Sequence, residues 1–281
     1  LDQRFQKTRT SSVIFRDWPE KMTRSSIGDV QPDTTNLSRQ GAIIGLQWSR
    51  QFDLMPGFSK NPNFNFIGEA NFPSTLEISV DGQPIQSIKL NPGKFDLRNF
   101  SYFLGLRNVQ LTLIDNLGQR TQYARPFYFS DQTLRAGIHS YSYSTGLLRH
   151  HDTQMGKIDY HGFAAHAMHQ YGFTDYLTSG GYAETSPEYH LFGTMLNSTI
   201  GPAGTLSTQI AWRKNKETTM FPAPSSGQAW QASYNLSYRR WGLGMSYLQQ
   251  SREFEPMLLD LTSNSYAPNR SALAFSSSVG W

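Results

Sequence analysis

The amino-acid sequence predicts an all-β chain: a fragment of a transmembrane antiparallel β-barrel that carries an inserted β-sandwich. Three observations carry that prediction. Apolar and polar residues alternate with a period of two in run after run, as they do in strands whose two faces meet different surroundings. The longer runs reach about nine to eleven residues, the length that a tilted strand needs to cross a bilayer; strands of soluble sandwiches average about five to six. The composition is also poor in charge without being hydrophobic. Charged residues make up 16% of the 281 and aromatics 14%, where ordinary soluble domains hold about 25% charged residues.

In chain order, the alternation starts with Ile44, Leu46 and Trp48 opposite Gly45, Gln47 and Ser49. It returns after the middle of the chain, where Leu206, Thr208, Ile210 and Trp212 oppose Thr205, Ser207, Gln209, Ala211 and Arg213. Trp230, Ala232, Tyr234, Leu236 and Tyr238 then oppose Gln231, Ser233, Asn235, Ser237 and Arg239. Trp241, Leu243, Met245 and Tyr247 face away from Gly242, Gly244 and Ser246, and Leu273, Phe275, Val279 and Trp281 face away from small residues up to Gly280. The apolar faces carry Tyr and Trp near strand ends, as the aromatic girdles of membrane barrels do, and the polar faces are mostly small and uncharged. Ser207, Gln209, Ser233 and Asn235 are therefore expected to line a lumen. Short turns such as Tyr171 to Asp175 alternate with long polar loops such as Lys214 to Gly227 and Arg252 to Asn269, and loops of unequal length on the two rims are typical of such barrels.

Residues 65–130 break this pattern. Leu76, Ile78 and Val80 lead into Asp81-Gly82, a dipeptide that accepts the positive φ angles of a tight hairpin. Asn91-Pro92-Gly93 offers Pro and Gly where a type II turn wants them, and Phe95 and Leu97 follow. Val109, Leu111 and Leu113 alternate with polar residues before Asp115-Asn116-Leu117-Gly118 closes another hairpin. The expected division is thus 1–64 as barrel strands, 65–130 as a small sandwich, and 131–281 as further barrel strands. The flanks Pro56 to Phe64 and Arg125 to Asp131 are rich in Pro, Phe and Asn, as linkers leaving a barrel wall would be.

Composition also excludes several classes. The formal net charge of +4 argues against a dedicated nucleic-acid binder. No apolar stretch approaches the roughly 18 residues of a membrane-spanning helix. The absence of Cys removes disulfides, thiol nucleophiles and Cys-ligated metals. The chain opens at Leu1 with no basic-then-apolar leader, and it reads as a cut from within a longer gene. There is no Gly-Lys-Ser/Thr phosphate loop and no dinucleotide glycine fingerprint, so neither a nucleotide nor another cofactor is expected.

The seven His invite a metal or catalytic reading. His150, His151 and Asp152 stand together but lack a third ligand at a fixed offset, and the sequence places them in a solvated loop rather than a metal site. His166, between Ala165 and Ala167, is expected to point into the lumen. Ser186, Glu188 and His190 bring a hydroxyl, an acid and an imidazole within five residues of Pro187, where a turn is expected instead of a relay. His139-Ser140 shows no oxyanion donor either, so no catalytic residue is assigned.

The inserted segment and its neighbours resemble the outer-membrane ushers of the chaperone/usher pilus pathway. The resemblance is carried by Ile27-Gly28-Asp29, Gly41, Asp53-Leu54-Met55-Pro56, Gly68-Glu69-Ala70, Ile78 to Gly82 and Asn91 to Leu97. It continues through Val109 to Gly118, Leu134-Arg135-Ala136-Gly137 and Tyr141 to Gly146. What the resemblance implies is about eleven strands of a larger translocation barrel, with residues 65–130 as a plug held inside the lumen on two linkers. Asp81, Gly82, Pro92, Gly93, Phe95, Asp115 and Gly118 would then be plug-domain motif residues. The implied function is an outer-membrane pore and assembly platform, without enzymatic activity. Its implied partners are complexes of a periplasmic chaperone with pilus subunits, and outer-membrane lipid. The alternative is a porin-like barrel that carries a carbohydrate- or protein-binding sandwich.

Overall fold

The structure is a computed structural model that describes residues 11–38, 41–100, 104–152, 157–217, 223–238, 240–254 and 270–279. Strands β1 (Val13–Trp18), β2 (Thr23–Val30) and β3 (Ile43–Arg50) precede the insert. Six strands form the insert: β4 (Phe64–Ala70), β5 (Ser74–Val80), β6 (Gln83–Leu90), β7 (Gly93–Phe100), β8 (Gly105–Asp115) and β9 (Arg120–Phe129). After it come β10 (His139–Asp152), β11 (Lys157–Thr174), β12 (Leu177–Thr185), β13 (Tyr189–Thr199), β14 (Thr205–Asn215), β15 (Ser225–Tyr238), β16 (Trp241–Gln250) and β17 (Arg270–Val279). No α-helix occurs among the described residues, and no helix is long and apolar enough to cross a membrane.

Strands β1–β3 and β10–β17 pair with their sequence neighbours into one continuous antiparallel wall, in which β3 meets β10 across the insert. Among the described residues β1 and β17 do not pair with each other, so the wall is an open sheet. Cross-strand register carries the alternation from strand to strand. Trp48 lies opposite Tyr143, Tyr143 opposite Ala167, Ala183 opposite Phe192 and Phe192 opposite Trp212. This face is exposed: Phe163 retains 61% of its surface and Phe275 68%, and Leu46, Trp212 and Leu243 are also open. An apolar band of this extent needs an apolar solvent, and a bilayer supplies one.

The opposite face is concave-side chemistry. Ser142, His166, Glu184, Arg213 and Asn215 are buried there with Met168, Tyr182, Leu191 and Met195. Leu37, from the segment between β2 and β3, and Phe254, from the segment after β16, fold back onto these residues and complete an apolar cluster. On the same face Gly28, Gly45 and Gly146 lie opposite one another on β2, β3 and β10. A Cβ on Gly45 or Gly146 would strike the backbone of the other strand, so the close approach of these two strands requires glycine.

Strands β6-β5-β8-β9 form one layer of the insert, and β4-β7 form the other. Leu76, Ile78, Val80, Val109 and Leu111, each at most 1% exposed, fill the space between the layers with Phe64 and Phe129. Phe95 packs against this core and lies over Gly68, where a Cβ would collide with its ring. Asp81 at φ 52° and Gly82 at φ 85° make the β5–β6 turn, the positive-φ pair of a type I′ hairpin. At the β8–β9 turn the Asp115 carboxylate accepts from the backbone N–H of Leu117 and Gln119 at 2.9 and 2.8 Å, and Gly118 adopts φ 80°. Pro92 and Gly93 serve a different purpose. They carry the chain from β6 in one layer to β7 in the other, a crossover and not a hairpin.

A soluble piece spanning residues 64–129 is expected to unfold cooperatively in urea, because its buried apolar residues pack on each other and not on the wall. Leu111→Ala should cost about 2–5 kcal/mol of that stability. A broad, non-cooperative transition in the parent piece would show that the insert depends on the wall to fold.

Candidate functional site

The site is the concave side of the wall and the two chain crossings that leave it for the insert. A cavity of about 1110 Å³ runs along this side. Ser207 and Gln209 on β14 and Ser233 and Asn235 on β15, the four residues expected in a lumen, all line it. They are adjacent in register, Ser207 opposite Ser233 and Gln209 opposite Gln231. Across the cavity stand Asp53, Phe58 and Lys60 of the outgoing linker and Gln132 of the returning one. Among the described residues, none of β4–β9 lines it.

The linkers are tied together and to the wall. Arg135 N–H donates to the Lys60 carbonyl at 2.8 Å, and the Asn61 side-chain amide donates to the Thr133 carbonyl at 2.8 Å. The Arg135 guanidinium lies 5.1 Å from the Phe58 ring centre, and Phe58 stacks on Phe52. Leu134 N–H donates to Thr178 Oγ1 at 2.7 Å, and the buried hydroxyls of Thr133 and Thr199 meet at 3.2 Å. This neck fixes where the sandwich can reach.

The sandwich meets the wall at the rim of short turns. Tyr128 on β9 donates to the Asn235 carbonyl at 3.4 Å and accepts from Ser237 N–H at 3.3 Å. Leu106 pairs in parallel with Tyr238, so β8 touches the end of β15. Gly105, at φ 103°, sits so close to Ser237 that a Cβ would clash with it. Burial raises the Tyr128 phenol above its ordinary value of 10.0. A smaller cavity of about 200 Å³ separates Pro126 and Phe127 from Asp175 and Tyr176 of the rim. A sandwich held inside the lumen was the expectation; the contacts observed are at its mouth, because the anchored neck occupies the concave side.

Of the plug motif residues, Asp81, Gly82, Asp115 and Gly118 make turns, Pro92 and Gly93 make the crossover, and Phe95 packs on the core; none lines the large cavity. The histidines separate clearly. His166 faces inward at 2% exposure, with Nε2 3.7 Å from Glu184 Oε1. Tyr189 donates to Glu184 Oε2 at 3.1 Å, and the Arg213 guanidinium lies 4.0 Å from the Tyr189 ring centre. A polar row thus crosses β11 to β14. Sequence reasoning missed it, although the inward parity of His166, Glu184 and Arg213 was a usable signal. His150 and His151 belong to β10 and not to a loop, while the long loops around 218–222 and 255–269 lie outside the described residues. Ser186 accepts from the backbone N–H of Glu188 and Tyr189 in a turn, while His190 contacts Thr185, so this trio forms no relay.

The model of the family described as "Outer membrane usher protein" matches residues 3–249. The curated outer membrane usher protein YraJ of Escherichia coli K12 is 22% identical over 256 residues, covering 90% of this chain and 30% of that protein. YehB of the same organism is 24% identical over 246 residues, covering 83% and 28%. The chain therefore spans about a third of the length of these relatives or less. Among solved structures, the P pilus usher PapC translocation pore matches with a TM-score of 0.51 at 16% identity, covering 95% of this chain and 54% of that one. The E. coli P pilus tip assembly intermediate PapC-PapD-PapK-PapG matches with a TM-score of 0.58 at 16% identity, covering 94% and 33%. The chain belongs to the outer-membrane usher family.

Proposed function

We propose that this chain forms part of the pore wall, with its plug, of an usher that secretes and assembles pilus subunits delivered by a periplasmic chaperone. One observation carries the reading: a wall with an apolar outer face has a polar cavity of about 1110 Å³ on its inner face, and a folded sandwich hangs by a neck at the mouth of that cavity. The row of Ser207, Gln209, Ser233 and Asn235 along that cavity offers a passing protein exchangeable hydrogen bonds. No bond is made or broken by side chains here. Subunits would be exchanged by strand addition, driven by the difference in stability between two complemented sheets. The placement of residues 65–130 at the mouth, on linkers tied at Lys60 to Arg135, supports a plug that moves as a unit. The alternative, a porin-like barrel with a ligand-binding sandwich, lacks a comparable observation.

Deleting residues 65–130 from the full-length protein, with the linker ends rejoined, is expected to give large steady conductance in planar bilayers. Cells carrying that protein should become sensitive to bulky antibiotics and assemble fewer pili. Conductance equal to that of the intact protein would move the binding-module reading ahead.

The Tyr128 dock makes a second expectation. Tyr128→Phe removes the hydroxyl from both hydrogen bonds, worth about 1 kcal/mol net, and should raise the open fraction about fivefold. Because the docked phenol holds its proton more tightly than the free one, docking is fully present below the ordinary value of 10.0 and weakens as pH rises through the docked value. Single-channel recording between neutral pH and about pH 11 checks both, since the Phe variant should lose this alkaline opening.

A further inference from the structure

We propose that His139 and His169 form a transition-metal site on the outer face of the wall, suited to Cu(II) or Ni(II). His139 opens β10 directly after the returning linker, and His169 on β11 lies opposite Tyr141. His139 Nδ1 and His169 Nε2 are 2.9 Å apart. Two imidazole nitrogens at about 2.0–2.1 Å from one ion are about 2.9 Å apart for a right angle at the metal, and about 3.4 Å apart for a tetrahedral one. In the metal-free pair this spacing is an N–H···N hydrogen bond, and it leaves the two nitrogens about as far apart as neighbouring imidazole ligands of one Cu(II) or Ni(II) ion.

The two rings are held differently, as a chelate requires. The Nδ1 of His169 is 2.6 Å from the Tyr143 hydroxyl, and the Tyr141 ring stacks against the imidazole. When Nδ1–H donates to the phenol oxygen, Nε2 presents its lone pair, and such an outer hydrogen bond fixes a metal ligand's tautomer and orientation. His139 is exposed and meets His169 at 81°, so a modest ring rotation brings its Nδ1 lone pair onto a shared ion. The proton between the metal-free pair then moves to the other nitrogen of His139.

His150 and His161 are the rival pair. Their rings stack with centres 4.0 Å apart and planes at 16°, and lone pairs in two nearly parallel planes do not converge on one ion. No group of three His, Cys, Asp or Glu able to hold a metal occurs among the described residues, so the remaining positions fall to water, which reaches this end of the wall because His139 is the first residue of β10. A bound ion would tie the first wall residue after the returning linker to β11.

The test uses the full-length protein purified in detergent without a histidine tag, titrated with Cu²⁺ alone and Ni²⁺ alone. Pulsed EPR of the copper form should show two coordinated imidazoles, and His139→Ala and His169→Ala should each remove one and weaken Cu²⁺ binding at least tenfold relative to the parent. Tyr143→Phe should weaken it by about tenfold while keeping the two-imidazole signature, a pattern that a merely structural tyrosine would not give. Undiminished Cu²⁺ affinity in His139→Ala or His169→Ala would overturn the proposal, as would a loss confined to His150→Ala and His161→Ala.

Discussion

A sheet whose two faces meet different solvents admits one register, and the rest of this structure depends on that constraint. Slipping any wall strand by one residue would turn Phe192, Trp212 or Phe275 toward the cavity and Glu184 or Arg213 toward the apolar side. The row from Trp48 through Tyr143 on one side and from Phe192 to Trp212 on the other is therefore continuous across strands far apart in sequence. Between the edge strands β1 and β17, each wall strand pairs with a neighbour on both sides, as strands within hydrocarbon require. Glycine enters where this geometry leaves no room, as at Gly45 and Gly146.

The insert obeys a different rule. Its core is built from Leu76, Ile78, Val80, Val109 and Leu111 across two layers, so it has both an inside and a water-facing outside. The wall has an apolar outside and a polar inside. Two units with opposite polarity have little apolar surface to share, and the contacts between them include Tyr128, Gly105 and Leu106 of the sandwich against the 201–203 turn and the end of β15. The neck of Lys60, Asn61, Thr133 and Arg135 holds them in place where packing does not. Weak contacts at a mouth and a firm neck fit the proposed plug, a body that swings without leaving.

The row of His166, Glu184, Tyr189 and Arg213 is the most polar part of the buried inner face. Each charge stands beside a group that offsets its burial: the Tyr189 hydroxyl for Glu184, and the Tyr189 ring and Asn215 for Arg213. Leu37 and Phe254, arriving from long segments, cap the apolar residues next to this row. The inner face is thus not uniform, being open and neutral around Ser207 and Ser233 and covered and ionic around His166.

By itself the sequence determined the alternating runs at 44–49, 205–213 and 230–247 and the parity of their faces, because a period-two pattern is a local property that any single strand displays. Asp81-Gly82 and Asp115 to Gly118 were legible as turns for the same reason, since backbone φ preferences are written in two or three residues. Only the tertiary structure decided that Pro92-Gly93 joins two layers, that the sandwich sits at the mouth, and that His139 meets His169. Those outcomes depend on pairings between residues distant in sequence and on how far an anchored linker can reach, and neither leaves a periodic trace in the chain.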